Sequence, residues 1–524
     1  MATELKSYLS AKWKGGSGKK TPLVNPSNEQ PVAETSTEGL ELAEAVDFSR
    51  RVGGRALRSM TFAQRGEVLR KLAKVIGDAR EELIGLGMIN AGNTRSDAKF
   101  DIDGASATLM FYAELATTLG ENRFLLDADG TSLGRSARLY GQHVLVPRHG
   151  VAIHINAFNF PAWGLAEKFA VSFLAGVPTI TKPATATAWM THRIVERWIE
   201  AGILPDGALS LLCGSIGGLL SHLTGQDVVA FTGSSETAAR LRSHETLCAN
   251  NVRLNVEADS LNAAALGPDV ATGSEALNLF LGDVVKEVTQ KAGQKCTAIR
   301  RIYAPRERLD EIREMLVERF SDVRVGDPAN EKTTMGPLAS AEQLKGVRSG
   351  IDRLAAESEV AIGGSQPVAA IGVEARNGYF VAPTLLVRRE PVSEDVLNRH
   401  EVFGPVATLM PYEDAEQLIQ LIAAGGGGLV SSLYSDDRKF VGEIVSGIAP
   451  FHGRLVLAGE KLAGQSIPPG TVLPQLIHGG PGRAGGGEEL GGLRGLQLYL
   501  NRVALQGDRA LIQHLFPASK NPGG

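Results

Sequence analysis

Residues 151–182 read VAIHINAFNFPAWGLAEKFAVSFLAGVPTITK. Two short apolar runs, Val151 to Ile155 and Val177 to Thr181, enclose a segment long enough for one helix. The same alternation continues downstream, with strand-like runs at Leu209 to Leu212, Val228 to Phe231 and Val252 to Val256. Parallel neighbours need a crossover between them, so strands that alternate with helices predict a parallel sheet and an α/β fold.

Working outward, the first hundred residues read mainly as helices. Thr61 and Gln64 form a capping-box pair ahead of Val68, Leu69, Leu72, Val75 and Ile76 at helical spacing. Between Ser132 and Val146, SLGRSARLYGQHVLV alternates around Gly141 and predicts a two-stranded ribbon that leaves its own domain. A second α/β block follows from about residue 260 to 480, with a helix from Ser274 to about Lys291, a strand at Ile299 to Ala304, a helix around Leu309 to Phe320, and a PTLLV strand at Pro383.

At 524 residues the chain exceeds one ordinary domain. Its 54 Lys+Arg against 58 Asp+Glu give a charge of -4, which argues against a general nucleic-acid binder. Phe169 to Ile180 is the most apolar stretch; it contains Pro178 and is well short of the roughly 20 residues that cross a bilayer. The N-terminus has no apolar core of signal-peptide length. Cys213, Cys248 and Cys296 are too scattered for a disulfide framework or a zinc site, so a soluble, cytoplasmic protein without a metal is expected. Glycine is concentrated at Gly425 to Gly428 and from Gly479 to Gly495, which predicts either close backbone approaches or flexible loops.

Ligands of parallel sheets sit at the carboxyl ends of the strands. Those ends offer Asn159, Lys182, the Thr232–Gly233–Ser234 turn that opens a helix, and Glu257. Lys182 and the amides of that turn suit a phosphate, although no GxGxxG fingerprint is present. Cys296, in KAGQKCTAIRR, lies at a junction between helix and strand. Taken singly, such a cysteine is more often an inert apolar residue than a nucleophile, Glu257 reads equally as an ion-paired surface carboxylate, and Asn159 as a turn former. Lys295 alone does not establish a lowered thiol pKa.

In combination and order, NAFNFP, TITKPA, ILPDGALSLLCG, FTGS, NVEADS, GQKCTA, GYFVAPTLL and EVFGPV resemble the motifs of the aldehyde dehydrogenase superfamily from about residue 20 to 505. The resemblance implies a Rossmann-like dinucleotide-binding domain (1–131 and 147–260), a catalytic domain (261–480), and a small β oligomerisation element with a C-terminal segment (132–146 and 481–524). It implies Cys296 as nucleophile, Glu257 as general base, Asn159 as oxyanion-hole amide and Lys168 as support for the base. Cofactor contacts are implied for Ile155, Ala157, Phe158, Lys182, Thr185, Ser215, Gly233, Ser234, Thr237, Glu401 and Phe403. NAD-preferring members carry a glutamate three residues after the cofactor lysine; Thr185 stands there, which favours NADP, with NAD the weaker alternative.

The text after Glu257, Ala258 to Asn262, departs from the family's usual Leu-Gly-Gly-Lys. The C-terminal QLIHGGPGRAGGGEELGGLRGLQLYLNR resembles the branch that serves bacterial aerobic, CoA-linked degradation of aromatics, benzoate included. This implies oxidation of the CoA thioester aldehyde 3,4-dehydroadipyl-CoA semialdehyde to the acid, with water clearing the enzyme-bound thioester. Arg483 and Arg494 are open to two readings, contacts to the CoA arm or solvated loop residues. His478 likewise reads as a pocket residue or an ordinary loop histidine.

Rival readings are a dehydrogenase for another aldehyde, a CoA-acylating enzyme, and a non-catalytic nucleotide-binding protein on the same fold. Glu257 argues against the second, and intact Cys296, Glu257 and Asn159 against the third. A cysteine hydrolase needs a histidine partner that sequence alone does not supply. The ribbon at 132–146 and the strand Leu496 to Leu505 are expected to pair across subunits of a homodimer.

Overall fold

The computed structural model describes residues 3–374 and 377–517. The terminal KNPGG and the rest of 518–524, assigned above to the C-terminal segment, lie outside them.

The predicted alternation folds into a seven-stranded sheet whose order, from one edge, is Arg253–Glu257, Val228–Thr232, Ala152–Ile155, Thr179–Lys182, Leu209–Leu211, Ser7–Leu9 and Lys12–Lys14. The first five are parallel to one another. Every residue of the crossover helix Trp163–Ala175 is buried, because it lies between this sheet and the helices Phe62–Asp78 and Arg95–Leu119. That position explains why its text is apolar all round, with no polar stripe. It ends at Gly176 with φ +86°, left-handed backbone that only glycine adopts without strain.

A second seven-stranded sheet runs Glu359–Ile362, Thr384–Val387, Val406–Tyr412, Ile299–Pro305, Asn262–Leu266, Gly428–Tyr434 and His452–Ala458. Only its edge pair, Glu359–Ile362 with Thr384–Val387, is antiparallel. The capping box at Thr61 forms, with Thr61 Oγ1 accepting from the Gln64 amide and Gln64 Oε1 from the Thr61 amide.

Residues 3–35 form short strands joined by loops, not the helices expected, and two of these strands extend the first sheet. The ribbon is two-stranded as read, Thr131–Ser132 against Leu139–Pro147, with Gly141 inside the longer strand, where it pairs with Gln506 on one side and Thr131 on the other. The ribbon and the last strand also pair with each other inside the chain: Leu500–Asp508 is antiparallel to Leu139–Pro147 along its whole length. Leu493–Leu496 is a helical turn and no part of that strand.

The glycine-rich text resolves into a small hairpin, Ile477–Gly479 with Glu488–Leu490, in which His478 is opposite Glu489. Its loop packs on the end of the first sheet: the Ala258 amide donates to Ala484 O and the Gly487 amide to Val256 O. A Cβ on Gly485 would lie 2.4 Å from Val256 O, and its φ of +104° is also left-handed. Close approach, not flexibility, explains this glycine.

Candidate active site

The parallel register aligns the strand ends on one edge: Lys182 pairs with Ile155, and Thr232 with Glu257. Beyond that edge is a cleft of about 520 Å³. Of the residues expected at the cofactor, Ile155, Ala157, Phe158, Lys182, Gly233, Ser234, Thr237, Glu401 and Phe403 line it. Thr185, in the 3-10 turn Thr185–Thr187, and the exposed Ser215, whose Oγ accepts from the Gly217 amide, are not brought to its wall. Ser234 caps the helix Ser235–Arg242 by accepting from the Thr237 amide, so the helix start faces the cleft. Burial lowers the pKa of Lys182, and among the described residues no carboxylate forms an ion pair with it. Glu401 Oε2 accepts from the Ser260 amide, and burial raises its pKa to about 7 against the pull of Arg300. The cleft's size, its lysine and the capped helix start fit a dinucleotide.

A second, narrower cavity of about 30 Å³ lies behind the first, room for about one water. Phe100, Phe160, Trp163 and Val472 supply its apolar wall. Asn156, Ala157, Asn159, Thr232, Glu257 and Cys296 line both spaces. The predicted nucleophile, base and amide therefore form the partition between them.

Cys296 is held by its backbone. Asn262 Nδ2 donates to Cys296 O (2.8 Å) and to Ala298 O (2.9 Å), Arg300 anchors Gly293 O and Lys295 O, and Thr297 Oγ1 donates to Gly470 O. Asn262 belongs to the segment that departs from the family text, and here its role is to fix this loop. Lys295 turns away from the thiol; its Nζ pairs with Glu287 at 2.6 Å, both side chains fully buried.

Lys168 comes from the buried helix and is 3.2 Å from Glu167 Oε1, 3.0 Å from Glu489 Oε2 and 2.8 Å from Thr232 Oγ1. Burial opposes its charge, but Glu489, Glu167 and Glu257 outweigh that and raise its pKa. Glu489 is pushed up to about 7, by burial first and then by Glu167 and Glu257 against the pull of Lys168.

His478 is a pocket residue. Its Nε2 stands 3.8 Å from Cys296 Sγ and 3.3 Å from Glu257 Oε2. Neither Glu257 oxygen has a hydrogen-bond partner, so the Glu257 contact is ionic. Burial disfavours both charges; the pair nonetheless holds Glu257 below the usual carboxylate range and His478 above the usual imidazole range. Burial pushes the Cys296 thiol well up, and the Glu257 charge adds to it.

Sequence reasoning left His478 open and missed Glu167, Glu489 and Phe100. Only the hairpin register, hidden by the surrounding glycines, brings His478 and Glu489 together. Arg483 is found in the cleft, donating to Asn398 O, Gly425 O and Arg399 O, rather than in the narrow cavity proposed for substrate, and Arg494 is exposed.

Residues 13–451 match the model of the aldehyde dehydrogenase family. The chain is 41% identical over 478 residues to the 3,4-dehydroadipyl-CoA semialdehyde dehydrogenase of Aromatoleum evansii, covering 91% of this chain and 93% of that one. Among solved structures it resembles a 3,6-anhydro-L-galactose dehydrogenase in complex with NAP, with a TM-score of 0.83 at 21% identity over 97% of this chain and 100% of the other. It also resembles the betaine aldehyde dehydrogenase of Staphylococcus aureus in complex with NAD+, with a TM-score of 0.82 at 23% identity over 96% and 94%. Those two likenesses show the fold.

Proposed function

The chain belongs to the aldehyde dehydrogenase family, and from that premise we propose that it oxidises a CoA-linked semialdehyde, 3,4-dehydroadipyl-CoA semialdehyde, to the carboxylic acid with NADP in aerobic aromatic degradation. The observation that carries the reading is the partition: Cys296, Glu257 and Asn159 separate a dinucleotide-sized cleft from a narrow cavity. The relative from Aromatoleum evansii supports the substrate.

In this reading the Cys296 thiol gives its proton to water, Sγ forms a bond to the aldehyde carbon, and the carbonyl electron pair moves to oxygen. Asn159 and the Cys296 amide stabilise that oxyanion, each such donor contributing about 3 to 4 kcal/mol. A nicotinamide dinucleotide in the cleft supplies the hydride acceptor. The acyl group left on Sγ is cleared by water, whose proton Glu257 takes, with Lys168 and Glu489 beside it to carry charge away. NADP is preferred because Lys182 has no carboxylate partner to compete for a ribose phosphate. Phe158 and Phe403, edge to face at 5.8 Å, wall the nicotinamide end.

Residues 1–131 with 147–260 serve as the cofactor domain, 261–480 as the catalytic domain, and 132–146 with the C-terminal strand as the oligomerisation element of a cytoplasmic homodimer. Exposed Leu139 and Val503 on the paired strands Leu139–Pro147 and Leu500–Asp508, with exposed Leu511 and Leu515 on the helix Arg509–Leu515 that follows, favour a second copy there. Light scattering tests this: substituting these four by Ser is expected to give a monomer, and an unchanged mass would remove the dimer surface.

The deciding experiment measures reduced-nicotinamide formation from the CoA-linked semialdehyde with NADP and with NAD, for the intact enzyme and for Cys296→Ala. Turnover favouring NADP and lost in Cys296→Ala is expected. Equal rates with NAD would remove the cofactor preference, and no turnover with either would remove the substrate.

A further inference from the structure

We propose that His478 is a further catalytic residue of this site, a cation shared by two anions, whose imidazolium lets Cys296 exist as a thiolate beside the Glu257 carboxylate. This inference rests on the reading of Cys296 as nucleophile, but not on the identity of the aldehyde or of the dinucleotide.

The geometry makes the case. A cysteine next to a buried carboxylate is poorly placed to ionise, because the second negative charge is repelled by the first. Cys296 and Glu257 are in that relation, with their ligating atoms and that of His478 all within 4.8 Å of one another. One ring nitrogen, Nε2, faces both anions, at 3.8 Å from Sγ and 3.3 Å from Oε2. A single nitrogen between two acids acts as a counter-ion and not as the middle of a relay, since a relay uses both ring nitrogens.

The carboxylates around the ring favour its cationic form, and Lys168 opposes it. Glu167 and Lys168 face the pocket from the helix Trp163–Ala175, with Lys168 paired to Glu167 and Glu489, and Glu489 is His478's cross-strand partner. Glu257, Glu167 and Glu489 all act to raise the pKa of the imidazole, against the burial that lowers it. When Cys296 ionises, its proton passes to water in the cavity and the thiolate is left against the imidazolium. The family match ends at residue 451, before the hairpin that supplies this histidine.

The test is alkylation of Cys296 by iodoacetamide from pH 6 to 10, without aldehyde or dinucleotide, in a Cys248→Ser background that removes the exposed thiol. His478→Gln is expected to slow alkylation by about tenfold or more below the thiol's titration and to move that titration to higher pH. His478→Lys, which restores a cation, is expected to recover most of the rate. Glu257→Gln should speed alkylation, and adding His478→Gln to it should still slow the reaction, because Nε2 reaches Sγ directly. Circular dichroism on each variant separates misfolding from a lost charge. Wild-type alkylation rates in His478→Gln at every pH would overturn the proposal, as would a folded His478→Lys as slow as His478→Gln, which would leave only a packing role. Because the readout needs no turnover, it stands apart from the substrate assay.

Discussion

Lys295 and Lys168 are both buried in acidic company, and they differ in what surrounds the pair. Lys295 is sealed: its Nζ meets Glu287 at 2.6 Å and Gln290 Oε1 at 2.8 Å, and Gly470 closes so tightly that a Cβ there would lie 1.9 Å from Glu287 Oε2. Lys168 meets Glu167 and Glu489 in the wall of the cavity that also holds Glu257, Cys296 and His478. The first cluster is paired and closed, although Glu287 Oε1 has no hydrogen-bond partner among the described residues, and it holds the residue next to Cys296. The second carries more negative charge than one lysine balances, and it is open to ligand. Adjacency in sequence misleads here, because Cys296 is next to Lys295 in the chain, yet the charge that acts on it most is that of Glu257, and His478, 182 residues away, is the ring beside it.

That contrast can be broken experimentally. The largest effect is expected at Glu257→Gln, which touches only the open cluster. Clearance of the thioester should slow by roughly 10² to 10⁴-fold, leaving a burst of one reduced nicotinamide per site in stopped-flow measurements with little change in denaturation midpoint. Steady turnover without a burst would move the base elsewhere.

Lys295→Met should do the reverse. It strands Glu287 without a partner in a closed site and is expected to cost about 3 to 5 kcal/mol of stability by urea unfolding. If stability held while turnover fell, the two clusters would not differ as described.

Glu401 lies between the two cases: its side chain is 8% exposed and lines the cleft. Its folded pKa, about 7, is raised above the ordinary carboxylate value, with burial as the first cause. Its contribution is therefore fully present below about pH 4.5 and is lost as pH rises through 7. Glu401→Gln should flatten that part of the stability profile by roughly 1 to 3 kcal/mol, read from denaturant midpoints between pH 4.5 and 8. A profile identical to wild type would place the titration on another group.

The smallest effect is expected at Thr185→Glu. A carboxylate there is predicted to move the NADP to NAD ratio of kcat/KM by about tenfold at most, because Thr185 does not line the cleft. A larger change would mean that the turn at 185–187 moves against the bound dinucleotide.

Much of this was legible in the chain. The strand runs between residues 151 and 256 formed as read, because alternation of apolar strands and crossover helices is a local pattern. Asn159 and Glu257 lie at or just beyond strand ends and Lys168 on the helix that packs against that sheet, while Cys296 comes from the loop ahead of the strand Ile299–Pro305. The N-terminal strands were not legible: segments as short as Ser7–Leu9 carry no period, and they are strands only because the sheet edge at Leu209–Leu211 offers hydrogen bonds. The two-stranded ribbon was legible, but its third partner was not: the pairing of Leu139–Pro147 with Leu500–Asp508 joins segments more than 350 residues apart.

The sequence by itself determined the α/β alternation, the order of the strand-end motifs and the membership of the family, since these depend on residues near one another in the chain. Only the tertiary structure decided that Lys295 is sealed off, that Arg483 belongs to the cleft, and that a glycine-rich hairpin delivers His478 and Glu489 to the nucleophile. Burial and charge at a site are sums over whatever the fold packs around it, and the groups that dominate here come from segments of the chain with no local pattern that announces them.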